Sequence, residues 1–219
     1  MISKINNPEQ FKKKLHSEVK KLLQTKEHLV FGLPGGRSIE SIFPLIKDLP
    51  WERIHVFMVD ERLVSIDDMD SNYKLLHDGL FKNMIRSKRI NEKNLHPIRI
   101  NADMDNVVKK YSEELRKYGG FDIVFFGVGE DGHIAGLFPN LTIDNESEHY
   151  FAFTDSPKPP SGRVTASKKM LLRAKLGVFL FIGKSKKPAY EKFISKDTVI
   201  VDCPAKIAQH MNSLVYTHF

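Results

Sequence analysis

The sequence predicts an α/β fold in three layers, a mainly parallel sheet with helices on both faces. Two observations predict it. Short apolar runs alternate with segments of helical periodicity along the whole chain. The runs are apolar nearly throughout, as strands covered on both faces are. Gly177-Val178-Phe179-Leu180-Phe181-Ile182 is the strongest of them. No internal repeat, low-complexity tract or domain boundary breaks the pattern, so residues 1–219 are expected to form one domain.

Each element has its own signals. Asn7 caps a first helix with Pro8 in its first turn, and Phe11, Leu15, Val19, Leu22 and Leu23 share one face. A short strand, His28 to Phe31, runs into Gly35-Gly36-Arg37-Ser38. A helical pattern through Ile39, Ile42, Phe43 and Ile46 follows, with Pro44 expected to kink or shorten it. The next strand, Ile54 to Val59, ends in Asp60-Glu61-Arg62. A polar loop from Ser65 to Ser71 leads to a helix opened by Asn72. The loop's aspartates lack the glycine and terminal glutamate of a calcium loop and read as solvated. A short strand lies near Leu95 to Ile98, and a helix over Asp103–Tyr118 stops at Gly119-Gly120. Beyond the middle of the chain, strands are expected at Tyr150–Phe153, Gly177–Ile182, Thr198–Val201 and Leu214–Tyr216. A helix is expected at Pro188–Ile194.

The chain is organised around Phe121 to Pro139. An apolar run, broken only by Asp122, turns through Gly127 and Gly129 and ends in Asp131-Gly132-His133. In an open parallel sheet, ligands bind at the carboxyl ends of strands. A histidine delivered there beside a carboxylate suits acid/base chemistry. The stretch reads equally as a glycine turn with a surface histidine and a helix-capping aspartate. Other strand ends carry Gly35-Gly36-Arg37-Ser38, Asp60-Glu61-Arg62, a proline-rich segment holding Arg163, and Lys186. Parallel strands would gather these on one edge, where cations and backbone amides suit a phosphorylated sugar or polyol. No nucleophilic Cys or Ser elbow and no metal-ligand cluster is visible.

Composition narrows the partners. There are 34 Lys and Arg against 27 Asp and Glu, a net charge of +7. The lysines fall in scattered pairs and triplets on polar helix faces, poorly interleaved with aromatics, so no nucleic acid partner is expected. No apolar run approaches the roughly 20 residues that cross a bilayer, and no membrane association is expected. The first residues lack the apolar centre of a signal peptide. Cys203 is the single cysteine, which excludes an internal disulfide and suggests a reducing, cytoplasmic setting.

Several motifs stand in order: GLPGGRS (32–38), VDERLV (59–64) followed by Ser71-Asn72, FGVGEDGHIAGLFP (126–139), DSPKPPSGRVT (155–165) and GKSKK (183–187). The chain resembles 6-phosphogluconolactonases over nearly its whole length, to Tyr216. That resemblance implies a Rossmann-like sheet and hydrolysis of 6-phospho-D-glucono-1,5-lactone to 6-phosphogluconate in the oxidative pentose phosphate pathway. It implies no metal and no organic cofactor, with glucose-6-phosphate dehydrogenase as a pathway neighbour. His133 is the expected general base and Asp131 orients it or the substrate hydroxyls. Arg62 steadies the carbonyl oxygen or product carboxylate, and Asp60 fixes Arg62 or sugar hydroxyls. Phosphate binding falls to Gly35, Gly36, Arg163 and Lys186. Arg37 stands where many members carry Ser or Thr, and either adds a cation there or points away and leaves the work to Ser38. Glucosamine-6-phosphate deaminases share the superfamily, but end the DGH segment in an Asn-Glu-Pro-like sequence where this chain has Leu137-Phe138-Pro139. A deaminase, or a non-catalytic sugar-phosphate-binding module, is the alternative. Many relatives continue into a terminal helix beyond the position of Phe219, so one sheet face is expected to be less covered.

Overall fold

The computed structural model describes all residues from Met1 to Phe219. In chain order the strands are β1 (Ile2–Ile5), β2 (Leu29–Leu33), β3 (Ile54–Met58), β4 (Asp60–Arg62), β5 (Leu95–His96), β6 (Ile123–Gly127), β7 (Phe151–Phe153), β8 (Arg163–Thr165), β9 (Leu176–Ile182) and β10 (Ser213–His218). The helices are α1 (Pro8–Leu22), α2 (Arg37–Ser41), α3 (Phe43–Ile46), α4 (Asn72–Leu76), α5 (Lys82–Arg86), α6 (Met104–Lys117), α7 (Lys168–Leu172) and α8 (Lys187–Ile194).

Seven strands form one sheet in the order β1-β10-β9-β6-β2-β3-β5. Every pairing in it is parallel. All five residues of β2 are buried. Successive side chains of a strand point to opposite faces, so both faces are covered at the centre of the sheet, while the edge strand β1 is only partly buried. The expected three-layer α/β architecture is therefore present. A continuous core of 57 buried residues fills the space between sheet and helices. From β2 the chain builds outward through β3 and β5, then returns to β6 and builds the other way through β9 and β10. The switch point lies between β2 and β6, where a ligand crevice opens in such sheets.

Asp122 staples the opposite end of these strands. Its buried carboxylate accepts from Lys26 Nζ at 2.8 and 2.9 Å and from the Val30 N–H at 2.9 Å, and Lys175 stands 3.1 Å away. Its backbone bonds Val30 and Leu176, so one residue ties β2, β6 and β9 together.

Three details depart from the sequence reading. The polar N-terminus forms β1, in parallel register with β10 from Ile2↔Ser213 to Ile5↔Tyr216. Thr198–Val201 is loop and turn rather than a strand. The position beside β10 is taken by β1 instead. Asp60-Glu61-Arg62, read as a charged strand tip, forms β4 of a second, antiparallel sheet in the order β4-β8-β7. Pro44 has the anticipated effect: α2 and α3 are separate short helices.

Candidate active site

The small sheet hangs from the carboxyl end of β3. Val59 links the two sheets, donating to the Leu33 carbonyl at 3.0 Å and accepting from the Ala166 N–H at 2.8 Å. The Glu61 carboxylate then fixes the start of α4. It accepts from Ser71 Oγ at 3.0 Å and from the Asn72 and Tyr73 N–H groups at 2.7 and 2.8 Å. The neighbouring side chains, Asp60 and Arg62, are left facing the crevice at the end of the main sheet.

That crevice is a cleft of about 640 Å³. The turn after β2 forms one wall. The N–H groups of Gly35, Gly36, Arg37 and Ser38 have no protein acceptor, so they point a row of donors at the cleft. Gly36 has φ of +88°, where glycine is favoured. A Cβ on Gly35 would stand 2.0 Å from Asn72 Oδ1, so only glycine permits this approach. The turn after β9 forms the facing wall, with Lys186 donating its N–H to the Gly183 carbonyl at 2.9 Å.

Between them stands the loop after β6. Gly129 donates to the His133 carbonyl at 2.8 Å and accepts from Gly132 at 3.1 Å, folding the loop back on itself. His133 Nδ1 lies 2.5 Å from Asp131 Oδ1, which also accepts the His133 N–H at 3.2 Å. Burial opposes ionisation of Asp131, but the hydrogen bonds and charge of His133 outweigh it and hold the carboxyl well below the usual carboxylate range. An ionised Asp131 keeps the proton on Nδ1 and leaves Nε2 as the basic nitrogen. The Phe138 ring packs against the imidazole at 4.6 Å between centroids.

Gly35, Gly36, Arg37, Ser38, Asp60, Arg62, His133 and Lys186 all border this cleft, with Asp131 directly behind His133. Of the two readings of Arg37, the structure has it at the cleft. Asp60 lies at the cleft with only 8% of its surface exposed. Burial pushes its carboxyl above the ordinary range, against the pull of the Arg62, Arg163 and His133 charges. Asn72 Nδ2 donates to the Asp60 carbonyl at 3.0 Å and to its carboxylate at 3.3 Å.

Arg163 is placed differently from the expectation. It is buried at 4% exposure and does not border the cleft. Its guanidinium is turned into its own proline-rich loop, donating to the Lys158 carbonyl at 3.0 Å and the Gly162 carbonyl at 3.0 Å, and to Pro160. The cleft residue from that loop is Lys158, which the sequence reading passed over in favour of the arginine. Asn72 was likewise read only as a helix opener. The signal available for it was its place in the Ser71-Asn72 pair that follows VDERLV.

Arg37, Arg62, Lys158 and Lys186 border the cleft without a carboxylate within salt-bridge distance. Burial, then the charges of Lys158 and Arg37, push the Lys186 ammonium below its usual range, with Glu130 pulling the other way. The cleft can therefore hold an anion on its rim and move a proton at its centre.

The sequence and the fold both match known proteins. Residues 6–216 match the family described as Glucosamine-6-phosphate isomerases/6-phosphogluconolactonase. A 6-phosphogluconolactonase of Borreliella burgdorferi is 36% identical over 193 residues, covering 85% of this chain and 82% of that protein. The crystal structure of the Thermotoga maritima 6-phosphogluconolactonase superposes with a TM-score of 0.80 at 26% identity, covering 100% of this chain and 99% of that one. A monomeric glucosamine-6-phosphate deaminase has the same fold, with a TM-score of 0.79 at 20% identity over 99% of this chain and 96% of its own. The match over residues 6–216, joined to the close sequence relative, places the chain in the Glucosamine-6-phosphate isomerases/6-phosphogluconolactonase family.

Proposed function

We propose that this protein hydrolyses 6-phospho-D-glucono-1,5-lactone to 6-phosphogluconate in the oxidative pentose phosphate pathway. The observation that carries the reading is the Asp131–His133 contact of 2.5 Å at a cleft bordered by four cations with no carboxylate within salt-bridge distance. The Arg37, Ser38 and Gly35-Gly36 turn and Lys186 hold the phosphate, and the ring lies toward His133. His133 Nε2 takes a proton from water as its oxygen attacks C1. Negative charge gathers on the carbonyl oxygen, and Arg62 is the nearby cation that meets it. Collapse of the tetrahedral intermediate breaks the bond from C1 to the ring oxygen, which receives the proton from the imidazolium. Asp131 holds the ring through Nδ1 in the orientation and tautomer that the transfer uses. Asp60, fixed by Asn72, positions sugar hydroxyls.

The wall beside His133 supports a lactonase rather than a deaminase. Phe138, only 3% exposed, fills the position where the deaminase pattern has a ring-opening glutamate. The cleft draws residues from both halves of the main sheet and from the small sheet, which supports one domain over residues 1–219. A glucose-6-phosphate dehydrogenase would supply the lactone by oxidising C1 of the sugar phosphate. No helix is long and apolar enough to cross a membrane. The buried thiol of Cys203 suits a cytoplasmic setting.

A paired assay tests the reading. Proton release from fresh 6-phosphogluconolactone, corrected for spontaneous hydrolysis, is expected without ammonia release from glucosamine 6-phosphate. Ammonia release, or binding of phosphosugars with no turnover, would overturn it.

A further inference from the structure

The loop joining β7 to β8 carries two cations, and their side chains go opposite ways. Each terminal nitrogen of a guanidinium has two N–H groups. In Arg163, Nη1 donates to Pro160 and Gly162, and Nη2 donates to Lys158 and Pro159. Both nitrogens are thus spent on carbonyls of one loop, and only the Nε N–H remains. A buried guanidinium so engaged has little left to offer an anion.

The same bonds fix Lys158. Its carbonyl accepts from Arg163 Nη2 at 3.0 Å and from Ser156 Oγ at 3.2 Å, and its N–H meets Ser156 Oγ at 3.3 Å. The loop is closed beneath it by the Ser156 N–H on the Ser161 carbonyl at 3.1 Å. Gly162 packs so tightly on Leu63 that a Cβ would stand 2.9 Å from its side chain. With its backbone held on every side, Lys158 extends an exposed ammonium to the cleft. It lies near enough to Lys186 and Asp131 for its charge to act on both. Arg37 and Lys186 come from turns of the main sheet, whereas Lys158 reaches the same cleft from the loop of the small sheet.

We propose that Lys158 is a specificity-determining cation that engages the substrate phosphate from the small-sheet wall, and that Arg163 is the positioning residue that sets it there. The proposal rests on the lactonase reading above, and the two fail separately in the following experiment.

Steady-state hydrolysis is measured for the wild type, Lys158→Ala, Lys158→Arg, Arg163→Gln and the double variant. The substrates are 6-phosphogluconolactone and unphosphorylated glucono-1,5-lactone. Lys158→Ala is expected to raise KM for the phosphorylated lactone roughly 10- to 100-fold, the effect of losing one charge-assisted contact. The loss is confined to the phosphorylated substrate, and Lys158→Arg recovers most of it. Arg163→Gln raises the same KM, but adding it to Lys158→Ala causes little further rise. An unchanged KM in Lys158→Ala overturns the proposal. So does a double variant whose KM rises by the product of the single effects, because Arg163 would then be a ligand itself. Should Arg163→Gln fail to fold, the exposed Lys158 variants decide. Calorimetry with 6-phosphogluconate and gluconate repeats the comparison without turnover. A wild type that hydrolyses neither lactone, yet loses preference for the phosphorylated acid on Lys158→Ala, would sink the reaction and keep the site.

Discussion

At His133, one contact decides which nitrogen does chemistry. Asp131 occupies Nδ1 at 2.5 Å, so only Nε2 is left to take a proton from water. Asp131→Asn keeps the volume but loses the carboxylate that holds the proton on Nδ1. It is expected to lower kcat roughly 10²- to 10⁴-fold in a lactone assay, with thermal stability little changed. Gly129 protects the same contact by having no side chain. A Cβ there would stand 2.0 Å from His133 Nδ1 and 2.2 Å from Cε1. Gly129→Ala should displace the ring and cost on the order of 10²-fold in kcat, the penalty of misplacing a catalytic group by about an ångström. A fully active Gly129→Ala enzyme would mean the ring works from another position. This part of the site was legible in the sequence because it is local: Gly129, Asp131 and His133 lie within five residues, and the loop bonds mainly to itself. The Lys158 and Arg163 pair was not legible. Both are cations on one proline-rich segment, and only the carbonyls around Arg163 show which one turns inward.

Among the elements, the long apolar strands were readable and the short polar ones were not. β6 and β9 announce themselves by unbroken apolar runs. β4 and β8 have three residues each and pair across about a hundred positions, as Asp60↔Thr165 and Arg62↔Arg163. Their charges resemble a solvated turn until the partner strand is known. β1 hid for a similar reason, since Ile2-Ser3-Lys4-Ile5 has only two apolar residues and depends on β10 for its ladder. Asp122 looked like a flaw in an apolar run, yet it holds three strands. Removing its carboxylate in Asp122→Ala leaves Lys26 and Lys175 without their shared partner. The lysines are 29% and 47% exposed, so the loss comes chiefly from the buried Val30 N–H left without its acceptor and is on the order of 1–3 kcal/mol. Urea unfolding should show a loss of that size, whereas a loss below about 1 kcal/mol would mean the Val30 N–H is reached by water.

Over the whole molecule, the two ends of the sheet have different chemistry. The carboxyl end holds the cleft. Near the start of β3, His55 Nδ1 meets His96 Nε2 at 3.0 Å, and His96 Nδ1 meets Glu114 at 2.5 Å. Burial, then the charges of His96, His28 and Lys93, push the His55 imidazole down to about 4. Burial also lowers His96, against the pull of Glu114. An unfolded histidine titrates near ~6.5, so between that pH and about 4 the unfolded chain binds a proton that His55 refuses. Stability is full above this window and falls as the pH drops through it. The thermal midpoint should decline from pH 7 to pH 4.5, and less steeply in His55→Gln; identical slopes would remove His55 from the account. The net charge of +7 gave no direction by itself, because most lysines sit on solvated faces. What matters is that a few cations share one cleft with His133 at the switch point of the sheet, none with a carboxylate within salt-bridge distance. The central claim is that His133 removes the proton from the attacking water. Its most direct test is kcat for 6-phosphogluconolactone in His133→Ala beside the wild type. The account predicts a fall of roughly 10²- to 10⁴-fold with KM little altered. A variant that keeps nearly full activity on fresh lactone would contradict it.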